Sequence, residues 1–238
     1  MIQQVTKNHI LKNDYHGFSL IELTIVLFIV ALLLGGLLPT VSSQIEQQRR
    51  NETQKQLTEI QQALQGFAII NGRLPCPTIL TNPATAGYGE EAASCSLDLP
   101  AEGYLPWKTL GIIEIDAWGS KRSNTGDPWT GYWRYRVDRN FASAFTLSTG
   151  FGTCPGAAND CLAIQNNAGT PLTSTSERPI AIVFSTGRNL IADGQNTSFE
   201  ATSGIYQSDV PSATFDDMLI WLSRPQLFNR MVTAGKLP

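Results

Sequence analysis

The chain has 238 residues, a net charge of −3, four cysteines and two histidines. That length allows one or two domains with a real core, and the lack of a basic excess argues against a nucleic-acid partner. Both histidines, His9 and His16, lie near the N-terminus. Everything after them lacks an imidazole, which excludes Ser-His-Asp and Cys-His catalysis and His-ligated metals from that part.

A polar N-terminal stretch carrying Lys7 and Lys12 leads into an apolar run from Phe18 to Leu38, 21 residues long. As a helix this run measures about 31 Å, against a bilayer core of about 30 Å. The preceding lysines predict a cytoplasmic N-terminus, with everything after Pro39 outside the cytoplasm. One carboxylate, Glu22, stands inside the run. Ionisable groups in such segments are costly and point to function with a specific partner. A secretory signal cleaved near Val41-Ser42-Ser43 is one alternative, and a plain signal anchor is another. The long leader, the length of the run and Glu22 argue against the cleaved signal. No twin arginine or adjacent cysteine marks another export or lipidation route.

The order Gly17-Phe18-Ser19-Leu20-Ile21-Glu22-Leu23-Thr24-Ile25-Val26 resembles the cleavage and assembly motif of type IV prepilins and pseudopilins. The likeness lies in the glycine, the aromatic residue after it, the glutamate spacing, the apolar run and the short basic leader. It implies that prepilin peptidase, a membrane aspartic protease, cuts after Gly17 and that Phe18 becomes the methylated first residue. Glu22 is then the fifth mature residue and an assembly contact, pairing with the new Phe18 ammonium of a neighbouring subunit. Removing one partner from a buried ion pair costs about 3–5 kcal/mol, so such a contact would fix register. Both histidines leave with the leader.

The resemblance also implies a pilin-like α+β fold. One long N-terminal helix, transmembrane in its first half, would pack on a small antiparallel sheet with irregular loops and a C-terminal helix. The expected organisation is a leader over 1–17, an assembly helix over 18–39, its amphipathic continuation over 40–71 and an extracytoplasmic domain over 72–238. Implied partners are other pilin or pseudopilin subunits, prepilin peptidase, inner-membrane assembly machinery and membrane lipid. No cofactor and no catalytic residue are implied. The expected location is the bacterial inner membrane, with a single pass and a periplasmic domain, and then the filament.

In the polar continuation, Leu57, Ile60, Leu64 and Phe67 recur at spacings of three and four, one stripe of a helix. Asn71-Gly72 is a stop signal. One helix from Phe18 to Ile70 is predicted, kinked or melted near Gly35-Gly36 and Pro39. The stripe is too short for a coiled coil and suits packing on the domain.

Residues 72–110 show little periodicity, apart from a helical turn expected over Leu105–Gly111. Tyr132–Val137 alternates, which predicts a half-buried strand with Trp133, Tyr135 and Val137 inward and Arg134 and Arg136 outward. Ser143–Ser148, Cys161–Gln165 and Pro179–Ser185 are further strand candidates. Ser185-Thr186-Gly187-Arg188-Asn189 reads as a turn, because the strand-to-helix context of a phosphate loop is missing. A helix is expected at the C-terminus, with Asp216 and Asp217 in its first turn, a break at Arg224-Pro225, and a resumption from Gln226 to Val232.

Outside the cytoplasm, Cys76, Cys95, Cys154 and Cys161 predict disulfides, for which three pairings are possible. Proximity favours Cys154 with Cys161, and Cys76 with Cys95 would then close a Pro-rich loop. Their spacings are not those of a zinc site. Some pseudopilins bind calcium in a C-terminal loop, but Asp193, Asp209, Asp216 and Asp217 form no Asp-x-Asp-x-Asp-Gly loop. Solvated turns and a helix start are the expectation, and no metal is assigned.

Two functions compete: a structural filament subunit, and a membrane-anchored binding module or adhesin. For the second, Trp107, Trp118, Trp129, Tyr132 and Trp133 would form the surface, although core and turn packing is the simpler account of those rings. An enzyme is disfavoured by the missing histidines. Asp216 and Asp217 should also diverge around a helix.

Overall fold

A computed structural model describes residues 17, 19–95, 102–146, 162–197 and 204–237, without the side chains of 34–41. The architecture is α+β: an N-terminal helix, a small antiparallel sheet and a C-terminal helix. Contacts divide the chain into two compact units, Met1–Gln47 and Gln48–Pro238.

Helix α1 spans Leu20–Asn71. It is helical through Gly35, Gly36 and Pro39, so the local melting expected there does not occur. Its described apolar side chains from Leu20 to Leu33 are exposed. Among the described residues no helix is long and apolar enough to cross a membrane. The helix ends where Gly72, at φ 68°, turns the chain into the left-handed region.

Within the second unit the buried stripe of α1 is Thr53, Leu57, Ile60, Leu64 and Ala68. Phe67, expected in that stripe, is only half-buried and lies under the Arg73 guanidinium at 5.4 Å. A helix advances about 100° per residue, so Ala68 extends the 57-60-64 line as well as Phe67 does. The small side chain lets the helix approach its support.

That support is a four-stranded antiparallel sheet in the order β1 (Glu102–Tyr104), β2 (Arg134–Val137), β4 (Pro179–Ser185), β6 (Met218–Ser223). Short helix α2 (Trp107–Leu110) follows β1, as expected, and is closed by Gly111. Central strand β4 is buried along its whole length. Its Ala181 and Val183 join the α1 stripe, Trp133, Tyr135, Val137 and Leu222 in the main core. Its Ile182 and Phe184 point the other way, to a second core with Leu162, Ile164 and Tyr206. That core lies under a separate parallel pair, β3 (Ala163–Gln165) and β5 (Ile205–Gln207). Each fully buried aliphatic side chain here contributes about 1.5–3 kcal/mol.

Cover on the second face corrects the half-buried reading of β2. Arg136 is buried and Arg134 nearly so, both beside Glu102. Glu102 Oε1 accepts from Arg134 Nη2 at 2.8 Å, and Tyr206 donates its hydroxyl to Oε2. Alternation placed the arginines on the outer face correctly. It could not show that a distant pair of strands covers that face.

The C-terminal expectation needs the larger correction. Met218–Ser223 is a strand paired with β4, and helix α3 spans Arg224–Thr233. Proline therefore starts the helix rather than breaking one: in a first turn its missing N–H has no partner to lose. Gln226 Oε1 accepts from the Ser223 N–H at 3.0 Å, half of a capping box. The apolar run before it has no period that separates strand from helix, and the open edge of β4 decides the outcome. Residues 143–146 form no strand, against expectation, and 147–148 lie outside the described residues.

Candidate functional site

Four features carry the chemistry considered for this chain. The first is acidic. The turn after β4, over residues 187–190, folds against the entry to β6. Asn189 N–H donates to Asp216 Oδ2 at 3.1 Å, Asp216 N–H to Asp193 Oδ2 at 2.9 Å and Asp193 N–H to Asp217 Oδ2 at 3.0 Å. Asn196 Nδ2 also donates to Asp217 Oδ2, at 2.9 Å. One oxygen from each of Asp193, Asp216 and Asp217 lies within 4.8 Å of the others. Asp216 is 9% exposed and Asp217 4%, and the Oδ1 atom of each is buried without a hydrogen-bond partner. Burial pushes Asp217 up to about 7 and raises Asp216 as well.

The pair therefore sits at a strand entry, not in a solvated helix start, and it converges on Asp193 rather than diverging. Asp209, the fourth acid considered, is elsewhere and accepts from Asn167 N–H at 2.6 Å. Three carboxylates with two unsatisfied oxygens match the donor set of a hard, oxygen-ligated cation. Such an ion would neutralise the cluster and fasten the turn to β6.

The aromatic group does not make a platform. Trp107, Tyr132 and Trp133 are buried, and Trp118 and Trp129 are half-buried. Trp129 stacks on Tyr104 at 3.9 Å and takes the Arg122 guanidinium on its ring at 4.0 Å. Arg122 also donates to the carbonyls of Asp127, Thr81 and Thr125, tying the 120–130 loop to the Pro-rich segment. In the Asp-x-Trp-Gly segment, Asp116 Oδ1 accepts from the Trp118 and Gly119 N–H groups, both at 2.9 Å, and Oδ2 accepts from Ser185 Oγ at 2.6 Å. A Cβ on Gly131, at φ 70°, would strike Gly119 and Asp116, so glycine is required there.

Among the cysteines, Cys76 and Cys95 form a disulfide. Cys154 and Cys161 lie outside the described residues. Glu91 binds the Cys76 N–H at 3.1 Å and both Nη atoms of Arg73 at 2.7 and 2.8 Å. The closed loop is thereby pinned to the end of α1.

At the other end of α1, Ser19 and Glu22 cap the helix reciprocally. Glu22 N–H donates to Ser19 Oγ at 3.2 Å, and Ser19 N–H donates to Glu22 Oε2 at 3.4 Å. This is a capping box, with the carboxylate folded back over the first turn, where the helix dipole favours negative charge. Leu20, Ile21 and Leu23 around it are exposed. Helix α1 thus opens on an exposed apolar stretch with Glu22 in its first turn.

Residues 12–38 match the family model of the prokaryotic N-terminal methylation motif. That motif is the signature of type IV pilins and pseudopilins, and it supports a type IV pilin-like protein. No curated protein and no solved structure matches the chain. Gly17 and Glu22 of the methylation motif are described, and Phe18 lies outside the described residues. The part of Ser19 was missed from sequence although its signal was present: Ser-x-x-Glu before an apolar run is the capping-box pattern. The convergence of Asp193 with Asp216 and Asp217 gave no such signal, because those two are more than twenty residues away.

Proposed function

We propose that the protein is a structural subunit of a type IV pilus or a type II secretion pseudopilus, cut by prepilin peptidase and assembled through α1. The match of residues 12–38 to the methylation motif carries this reading. Gly17 is the last leader residue, Phe18 the methylated N-terminus and Glu22 the assembly contact. The apolar segment 18–39 is the anchor in the inner membrane, 40–71 links it to the domain, and 72–238 lies in the periplasm and then on the filament.

The physical logic is a carboxylate looking for a cation. In a hydrocarbon bundle Glu22 is costly unless paired. Cleavage creates an ammonium at Phe18, and a neighbouring subunit can bring it to Glu22. Apolar helices alone slide, and one ion pair per interface fixes their register. The motif's family is structural rather than enzymatic. The competing adhesin reading has less support, since Trp107, Tyr132 and Trp133 are buried and Trp129 stacks on Tyr104. Asp193, Asp216 and Asp217 would hold a hard divalent cation, which would fasten the turn after β4 to β6.

Glu22→Leu tests the role of the carboxylate. In cells carrying the assembly machinery, the variant should be cleaved but absent from sheared or chemically cross-linked filaments. Assembly at the wild-type level would remove Glu22 from the mechanism.

A further inference from the structure

We infer that Ser19 is the positioning residue for Glu22: its hydroxyl accepts from the Glu22 N–H and fixes the first turn, so that its own N–H holds the carboxylate at the helix start, poised for a neighbouring subunit. This deepens the assembly reading and rests on it. Without help, a glutamate in the first turn of an apolar helix samples several rotamers. Here its carboxylate accepts from the Ser19 N–H at 3.4 Å while its own N–H is taken by Ser19 Oγ at 3.2 Å. Thr24 Oγ1 turns away, donating to the Ile21 carbonyl at 2.8 Å. The carboxylate therefore lies beside the Ser19 N–H, at the N-terminal end of the helix.

The bond to Ser19 is long, and a charged donor forms a stronger one with a carboxylate. An arriving ammonium can thus draw Oε2 from the Ser19 N–H without breaking the bond from the Glu22 N–H to Ser19 Oγ. The helix keeps its cap while the carboxylate changes partner. Ser19 acts through Glu22 and needs no contact with the neighbouring subunit.

The test uses the full chain in cells with its peptidase and assembly machinery, comparing Ser19→Ala, Ser19→Thr, Glu22→Gln and Glu22→Leu. Ser19→Ala should be cleaved after Gly17 as in wild type, while the cross-linked multimer fraction falls about fivefold, the scale of a lost N-cap. Ser19→Thr, which keeps the hydroxyl, should restore it. Glu22→Gln keeps a capping-box side chain without the charge and should fail like Glu22→Leu. In detergent micelles the Glu22 Hα–Hβ couplings should report one rotamer in wild type and averaging in Ser19→Ala, a change that loss of helix stability elsewhere would not produce. Wild-type assembly of Ser19→Ala, or failure of Ser19→Thr to rescue, overturns the positioning role while leaving the assembly reading in place. Wild-type assembly of both Glu22 variants overturns the assembly reading itself.

Discussion

Tyr206 on β5 donates its hydroxyl to Glu102 on β1, and this bond joins the two sheets of the domain. Glu102 also accepts from Arg134 and lies 3.7 Å from Arg136, so one carboxylate answers two guanidinium groups on β2. Burial and the Glu102 charge hold the Tyr206 hydroxyl protonated.

Removing Glu102 takes the shared carboxylate away from two guanidinium groups on one face of β2. Glu102→Ala should destabilise the domain by about 3–5 kcal/mol, the cost of breaking a buried pair. Tyr206→Phe leaves the ion pairs and should cost only about 1–3 kcal/mol. Denaturant unfolding of the detergent-solubilised chain, followed by tryptophan fluorescence, checks both. Equal losses would mean that the ion pairs contribute little.

The buried stripe of α1 gives a second contrast. Leu64→Ala opens a cavity in the main core and should cost about 2–5 kcal/mol. Phe67→Ala, at a half-buried position beyond that line, should cost clearly less. The same unfolding assay reads both, and a larger loss at Phe67 would put the stripe one residue away from Ala68.

The acidic cluster predicts cation dependence. Calcium at millimolar concentration should raise the thermal midpoint of the chain by several degrees over a chelated sample, as binding to the folded state alone requires. Asp217→Asn should remove most of that shift while keeping an acceptor for the Asp193 and Asn196 donors. Superimposable melts with calcium and with chelator would mean that no ion binds there.

Closure of the 76–95 loop predicts a stability contribution. Cys76→Ser with Cys95→Ser should cost about 2–4 kcal/mol, as for other loops of this size. A non-reducing peptide map should show the two segments linked. Fragments joining Cys76 to Cys154 or Cys161 would contradict the pairing.

Local signals in the sequence were read well. The stripe through Leu64, the turn after Ser185 and strand Pro179–Ser185 all depend on residues near one another. Four things depended on distant chain. Whether Met218–Leu222 was strand or helix was set by the free edge of β4. Whether Arg136 was exposed was set by β3 and β5. Whether Asp216 and Asp217 converged was set by the turn carrying Asp193. Strand β1 is three residues long and lies in a stretch without period, so its pairing with β2 left no trace. The cap at Ser19 is local and legible in the Ser-x-x-Glu pattern.

The proposed function has assembly begin with a cut after Gly17, and the intact mass of the membrane-extracted chain tests that step most directly. The account predicts a protein that starts at Phe18 and carries one added methyl group. A chain starting at Met1, or one starting at Gln44 after signal cleavage, would contradict it.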